Sequence, residues 1–314
     1  MHASKAKSTS VQLPDLPKIC SAFDLDVSKH CRSTTLASQK WLVDAGLPPH
    51  WRTTNGCTWK ALKVGLWSSV CFPRADPMQL RLAMDFMSLL VWSTEVGQEG
   101  DVFALLSDRM SRVAYRSPAW YLRFITSLRA YREARAQVTE DAQNGSVPDM
   151  ESYIQLRRDA SGLRLVLAFI ECTMDLRLSE NVASHPVIQA LAEHAIDIIA
   201  WSEDLAMLSR NQASGHTFHL PAVIMAEQGL TLPGAVTQCG TLIRQAVEAF
   251  LATEQDLPSF EDPQVDKEVR SYVRGLRECI AGSINWMYES QRYFGDRPED
   301  VRNLRWVFVG LGSQ

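Results

Sequence analysis

The chain lacks the features that mark fibrous, disulfide-bonded and membrane-spanning proteins. Its 314 residues include only 16 glycines and 14 prolines, which excludes collagen-like and largely disordered architectures. The seven cysteines show no C-x-x-C spacing, and their odd number argues against a disulfide framework or a zinc knuckle. No stretch supplies the roughly 18 uninterrupted apolar residues of a membrane span. The composition of the whole chain, 46% apolar and 22% charged, is typical of an ordinary globular enzyme.

The chain also lacks an excess of basic residues. The sequence has 32 Lys and Arg against 36 Asp and Glu, a formal charge of −4, so no overall basic field would attract nucleic acid or an anionic membrane. We therefore expect a small-molecule partner, and the cysteine pattern favours a reducing, cytoplasmic compartment. Residues 1–14 start with a basic, serine-rich stretch that no apolar segment follows, which predicts a disordered tail. The domain is expected over residues 15–314, as a monomer or a homodimer.

Helical periodicity runs through nearly the whole chain. There are no hairpin dipeptides between alternating strands and no glycine-rich phosphate loop, so an all-α fold is predicted. Gly162 should interrupt one helix, because glycine costs about 1 kcal/mol relative to alanine inside a helix. The long helices are predicted from Asp76 to near Gly97, from near Asp149 onward, from Pro186 through Asn211 as a central helix, and over residues 264–294, ending at Gly295.

Residues 282–295, GSINWMYESQRYFG, carry the most specific pattern. They resemble the G-N-x-x-W-S-x-E-S-x-R-Y-F-G segment of fungal class I terpene synthases, the sesquiterpene cyclases. Residues 71–92 are similar to the helix before that family's aspartate-rich motif, residues 120–124 to its W-x-x-R-F segment, and residues 153–162 to its Y-I-x-L-R-R-x-T-x-G segment. The resemblance covers roughly residues 70–295. It implies a single-domain class I terpene synthase bundle, whose central cavity binds a prenyl diphosphate and ionises it with three Mg²⁺.

Both metal motifs of that family are altered here. Thr94 stands where the motif D-[DE]-x-x-D has its leading aspartate, and Glu95 follows it. In the second motif, N-D-x-x-S-x-x-x-E, Glu203 holds the first ligand position, while Met207 and Asn211 hold the other two. Mg²⁺ prefers anionic oxygen ligands, which a thioether and an amide do not supply. The resemblance therefore implies Glu203 and Glu95 as remaining metal ligands, with Mg²⁺ at reduced stoichiometry or not required.

The cationic side of the family's site is better preserved. Arg158 matches the family's diphosphate-sensing arginine, and Arg157 is the alternative if the register differs. Arg210 takes the place of a diphosphate-binding lysine, and Arg292 with Tyr293 matches an R-Y pair that binds the same group. Guanidinium groups bind phosphate or carboxylate oxygens through two parallel hydrogen bonds. These residues predict an anion pocket.

Apolar side chains between these motifs are candidates for the wall of a hydrocarbon cavity. Phe86, Trp92, Met207 and Trp286 are expected there, and aromatic faces can stabilise a cation through the ring quadrupole. The pair His216-x-x-His219 has metal-like spacing but lacks the H-E-x-x-H pattern, so a loop role is expected instead of a zinc site.

Three functions remain open. The first is a noncanonical terpene cyclase of secondary metabolism with altered metal dependence, in which Glu203, Arg292 and Tyr293 are the catalytic residues. The second is a repurposed cyclase that cyclises a terpenoid without diphosphate or couples it to a carboxylate-bearing partner through a C–N or C–O bond. In that case Glu203, its pKa raised by burial, would donate a proton. The third is a catalytically inactive binding protein, which the retained arginines disfavour.

Overall fold

The computed structural model describes residues 8–47, 56–96 and 101–310, and helices account for most of them. The α-helices are α1 (Leu16–Ile19), α2 (Cys31–Asp44), α3 (Val64–Cys71), α4 (Pro77–Val96), α5 (Ser107–Arg116), α6 (Pro118–Gln143), α7 (Met150–Ala160), α8 (Leu163–Thr173), α9 (Glu180–Ala183), α10 (Pro186–Ala206), α11 (Leu208–Ser214), α12 (Leu220–Gln228), α13 (Leu232–Gln255), α14 (Pro263–Met287), α15 (Gln291–Phe294) and α16 (Pro298–Leu304). Short 3₁₀ helices cover Trp59–Leu62 and Val102–Leu106, and two strands are present, β1 (Ser8–Gln12) and β2 (Trp306–Gly310). The predicted all-α fold is confirmed.

Helix α10 forms the centre of the bundle. It packs against α7, α8, α12, α13 and α14, and nearly all its residues from Ala195 to Ala206 are buried. A helix that is apolar around most of its circumference must be surrounded by others. This confirms a long central helix after Pro186, although α10 ends at Ala206 and α11 follows as a separate helix.

Two helix ends near the centre depend on local backbone chemistry. Gly162 has φ +73° between α7 and α8, and a Cβ there would lie 2.9 Å from Leu90 Cδ1, so the predicted break is confirmed. The prediction of one helix over residues 264–294 is wrong, because α14 ends at Met287. Ser290 then caps α15 by accepting a hydrogen bond from the Arg292 amide at 2.9 Å. Arg292 and Tyr293 therefore belong to a separate short helix, α15, and their direction is not set by α14.

The two ends of the described chain pair with each other. Strands β1 and β2 are antiparallel, with Ser8 opposite Gly310 and Gln12 opposite Trp306. The sequence predicts a disordered tail through residue 14, whereas the structure has β1 at Ser8–Gln12, with Val11 and Leu13 buried in the core. The period-two spacing of these two residues is the reason, since it lets one face of a short strand pack inward. Residues 1–7 lie outside the described part of the chain.

Among the described residues, no helix is long and apolar enough to cross a membrane. The helix predicted to end near Gly97 is described as far as Val96, and Gly97 itself lies outside the described residues.

Candidate active site

Charged side chains from five helices meet near the C-terminal ends of α4 and α10. We call this group the ion-pair cluster. Its members are Glu95 from α4, Arg157 from α7, Glu203 and Asp204 from α10, Arg210 from α11, and Arg292 and Tyr293 from α15. The described residues of the cluster include three guanidinium groups and three carboxyl groups, whose formal charges sum to zero.

Glu95 is the most deeply buried acid of the cluster, with 1% of its side chain exposed. Arg210 donates to both carboxylate oxygens, from Nη1 to Oε1 and from Nη2 to Oε2, each at 3.0 Å. Arg292 adds a hydrogen bond from Nε to Oε1 at 3.0 Å. Burial alone would raise the pKa of Glu95, but the two guanidinium groups outweigh it and lower that pKa. Glu95 is therefore a carboxylate held by two arginines.

Glu203 lies next to Glu95 and shares Arg292 with it. Arg292 Nη1 donates to Glu203 Oε1 at 2.5 Å, the Tyr293 hydroxyl donates to the same oxygen at 3.2 Å, and Arg157 Nη2 donates to Oε2 at 3.2 Å. Burial works toward a higher pKa, but the charges of Arg292 and Arg157 lower the pKa of Glu203. The expectation of a raised pKa at Glu203 is therefore wrong, because the two guanidinium groups outweigh the effect of burial. Glu203 is ionised at neutral pH, which is unsuited to donating a proton.

Asp204 anchors Arg157 on the inner side of the cluster. Arg157 donates to Asp204 Oδ1 from Nε at 3.1 Å and from Nη2 at 2.8 Å, while Oδ2 accepts from the Tyr153 hydroxyl and from the Leu220 amide at 2.8 Å. Asp204 and Tyr153 are not among the site residues predicted from the sequence. One signal was available: Tyr153 and Arg157 are four residues apart on α7, so they face the same neighbouring helix.

The other predicted arginine of α7 lies elsewhere. Arg158 pairs with Asp197 through Nε and Nη2 at 2.9 and 2.7 Å, and with Glu193 through Nη1 at 2.7 Å. Asp197 precedes Asp204 by seven residues on α10, a rise of about 10 Å along the helix. The structure thus brings Arg157, the alternative in the sequence analysis, into the cluster and leaves Arg158 outside it.

A small cavity of about 40 Å³ lies against the cluster. Glu203, Arg292 and Tyr293 form its charged wall, and the rest is lined by Trp67, Leu90, Val91, Thr94, Ser161, Leu163, Ile199, Trp286 and Met287. Trp286 stacks on Trp67 with ring centroids 4.4 Å apart. Ligand pockets for small molecules measure roughly 300–1,000 Å³, so a C15 chain requires this cavity to expand.

Of the four residues predicted to line the cavity, the structure places only Trp286 there within the described chain. Phe86 is fully buried in an aromatic core with Phe103, Phe124 and Phe169. Trp92 packs against Trp59 and lines a separate pocket, and Met207 is the C-terminal cap of α10. Helical spacing placed these side chains inward but could not distinguish a cavity wall from packed core.

A larger cavity, of about 850 Å³, lies away from this cluster. It opens at the N-terminal end of α4, whereas Glu95 lies at the other end of that 20-residue helix, about 30 Å away at 1.5 Å per residue. Two of its arginines, Arg81 and Arg109, are paired with the buried Asp85. None of the predicted site residues lines it in the described chain, so the ion-pair cluster remains the candidate active site.

The donor set of the cluster does not fit a three-metal centre. The described residues contain no group of three or more His, Cys, Asp or Glu side chains arranged to hold a metal ion. Glu95, Glu203 and Asp204 each accept hydrogen bonds from guanidinium groups. Mg²⁺ needs several free oxygen ligands in near-octahedral geometry, and it would have to displace these arginines from the carboxylates. The predicted ligands Glu95 and Glu203 are therefore engaged in ion pairs.

One histidine of the predicted pair, His219, caps helix α12. His219 is its N-cap residue, and Nδ1 accepts from the Ala222 amide at 3.4 Å. Burial lowers the pKa of His219 to about 4, so the ring is neutral at physiological pH. This agrees with the loop role expected for the pair.

Comparison with known proteins identifies the family. Residues 78–249, more than half of the chain, match the family model described as terpene synthase family 2, C-terminal metal binding. The chain belongs to the terpene synthase family. Sesquiterpene synthase Agr1 of Cyclocybe aegerita is 33% identical to it, over 94% of this chain and 92% of that protein. Sesquiterpene synthase 2 of Postia placenta is 31% identical, over 97% of this chain and 96% of that protein.

Solved structures show that this terpene synthase has the helical fold of its family. The T181N variant of cucumene synthase superimposes with a TM-score of 0.74 at 21% identity, covering 86% of this chain and 98% of that one. The predicted fungal class I terpene synthase resemblance is confirmed, as is an enzyme of the terpene cyclase type.

Proposed function

We propose that the chain is a noncanonical terpene cyclase of secondary metabolism. It binds the anionic group of a prenyl or sesquiterpenoid substrate with Arg210, Arg292 and Tyr293, and it depends on Mg²⁺ less than its family does. One observation carries the proposal: the carboxylates of Glu95 and Glu203 are bound by arginines. Guanidinium groups then supply part of the positive charge that metal ions supply elsewhere.

The hydrocarbon part of the substrate would lie against Trp286 and Trp67. Both rings line the cavity next to Arg292, whose guanidinium carbon lies 5.9 Å from the Trp286 ring centroid. The face of an indole ring stabilises a nearby positive charge by about 0.5–2 kcal/mol, and the stabilisation is larger when the site excludes water. In this arrangement the arginines hold the anion and the indoles stabilise the carbocation separated from it.

A terpenoid with one carboxylate is the second candidate substrate. Because the cluster has zero formal charge, a prenyl diphosphate with about three negative charges would leave a large excess of negative charge in a low-dielectric site. A single carboxylate leaves an excess of only one charge. The zero formal charge of the cluster favours the repurposed cyclase. However, the lowered pKa of Glu203 argues against the role of proton donor that was expected for Glu203 in that cyclase.

We also propose one domain over the described residues, acting in the cytoplasm. The seven cysteines are all free, which supports a reducing compartment. The proposed partner is a small molecule, and the protein is proposed to act as a monomer or a homodimer.

Product analysis with and without metal tests the proposal. Purified protein is incubated with farnesyl diphosphate in Mg²⁺ or in EDTA, and the extracts are analysed by gas chromatography and mass spectrometry. We expect a cyclic product whose rate of formation falls less than about tenfold in EDTA, a loss of under about 1.4 kcal/mol. Thr94→Asp should leave this dependence weak, because Met207 and Asn211 remain. A rate abolished by EDTA would contradict the proposal, and no product from any terpenoid would support the inactive binding protein.

A further inference from the structure

The Glu95 carboxylate occupies the position that the proposed function assigns to the substrate anion. Arg210 binds both of its oxygens through parallel hydrogen bonds, and Arg292 binds one of them, each at 3.0 Å. A bidentate guanidinium–carboxylate contact is also how an arginine binds a ligand carboxylate or phosphate. The protein therefore fills its own anion-binding site with a side chain.

We propose that Glu95 is a specificity-determining residue that competes with the substrate for Arg210 and Arg292, and that the ligand favoured by this exchange is a terpenoid carboxylate. The inference rests on the proposed function, since it assumes that these arginines bind the substrate. It differs from the role expected for Glu95, because a metal ligand assists binding and a competitor opposes it.

Charge and shape both favour a carboxylate in the exchange. A monoanionic carboxylate replaces Glu95 with the same number of oxygens, the same planar geometry and the same charge. A diphosphate brings about two more negative charges beside Glu203, which the arginines already neutralise. The internal carboxylate thus selects against highly charged ligands, because the described residues of the cluster have no surplus positive charge to neutralise them.

The small volume of the cavity is consistent with this competition. Arg292, Tyr293 and Glu203 form one wall of the 40 Å³ space, and Arg292 is held there partly by Glu95. A ligand that accepts the hydrogen bond now made by Arg292 to Glu95 breaks the contact between this wall of the cavity and α4. Exchange of the anion and expansion of the cavity are then one event.

Removing the competitor should strengthen binding. The apparent affinity of a ligand is proportional to the fraction of molecules whose site is free. If Glu95 occupies the site more than nine-tenths of the time, the apparent dissociation constant is at least about tenfold higher than that of a free site. Glu95→Gln removes the charge and keeps the shape. We expect its dissociation constant for farnesoic acid, measured by isothermal titration calorimetry in EDTA, to fall roughly tenfold or more.

Glu193→Gln is the matched control. It makes the same change in an acid that pairs with Arg158, outside the cluster, so the dissociation constant should not change. Farnesyl diphosphate and neutral farnesol are titrated in parallel. Wild-type protein should bind farnesoic acid more tightly than farnesyl diphosphate without metal, and Glu95→Gln should narrow that difference while leaving farnesol unchanged.

Several outcomes decide the inference. Unchanged or weaker binding of farnesoic acid by folded Glu95→Gln would overturn it, as would equal strengthening in Glu193→Gln. If Glu95→Gln does not fold, Glu95→Asp keeps the charge but shortens the side chain, and it should give an intermediate gain; no gain would overturn the inference. Failure of the proposed function is distinct, because then Arg292→Ala would bind each anion as tightly as the wild type.

Discussion

At the scale of single residues, the two neighbouring arginines of α7 have different surroundings. Arg157 binds Asp204 and Glu203 at the site, with 12% of its side chain exposed, whereas Arg158 binds Asp197 and Glu193 further along α10. Asp204 depends on Arg157 for neutralisation in a place where water has little access. Arg157 is therefore a positioning residue that holds the acids of the cluster in place.

Arg157→Ala should destabilise the protein strongly. It leaves a buried acid without its counter-charge, which costs about 3–5 kcal/mol in the free energy of unfolding. Arg297→Ala is the control, because Arg297 also forms an ion pair with an acid, Asp300, but both side chains are more than half exposed. That pair should contribute about 1 kcal/mol or less. Urea unfolding measures both, and equal losses in the two variants would contradict this role.

At the scale of helices and their ends, the site depends on interruptions. The break at Gly162 lets α7 and α8 change direction beside the cavity, and the cap at Ser290 begins the short helix that carries Arg292. Helix α12 begins at Leu220, after its cap residue His219. The Leu220 amide donates a hydrogen bond to Asp204 Oδ2. Continuous helices through these points would place the charged side chains on other faces.

Gly162→Ala should cost more than the same change at another left-handed glycine. A left-handed backbone costs a non-glycine residue about 1–2 kcal/mol, and the new Cβ also meets Leu90 Cδ1 at 2.9 Å, which adds roughly 1–3 kcal/mol. Gly215 has φ +66° with nothing within 4 Å of a Cβ, so Gly215→Ala should show only the first cost. Thermal unfolding compares the two. A melting temperature lowered equally in both would contradict the close packing at Gly162.

The cap of α12 should make stability depend on pH. The pKa of His219 falls from its ordinary 6.5 to about 4 in the folded state, so between these pH values the unfolded chain binds a proton that the folded chain does not. The free energy of unfolding therefore falls by up to about 3 kcal/mol as the pH drops from 6.5 to 4. The variant His219→Asn keeps a capping side chain. In this variant the change of the unfolding free energy with pH should correspond to up to one fewer proton taken up on unfolding. Urea unfolding from pH 4.5 to 7.5 measures it, and an unchanged slope would be the opposing result.

At the scale of the whole molecule, the sequence predicts the fold better than the site. Helical periodicity and the ordered motifs give the bundle, its central helix and the break at Gly162. The motif positions also select Glu95, Glu203, Arg210, Arg292 and Tyr293, which meet in the structure.

The features that could not be predicted from the sequence depend on how side chains of separate helices pack together. Adjacent residues on a helix differ by 100° in direction, so an error of one position exchanges Arg157 and Arg158. A core aromatic such as Phe86 has the same helical spacing as a cavity wall, and sequence alone shows no difference between them. Nor does sequence reveal that acids and arginines from separate helices neutralise one another, which is what sets the pKa of Glu203 below its ordinary value instead of above it.

In the site that we propose, arginines hold the anion, and a cluster of three metal ions does not. The most direct measurement is a crystal structure of the protein grown with pyrophosphate and Mg²⁺. We expect to find the anion bound to Arg210 and Arg292, with Glu95 displaced from them and at most one metal ion bound. Three Mg²⁺ ions held by Glu95 and Glu203, with the arginines moved away from both carboxylates, would contradict it.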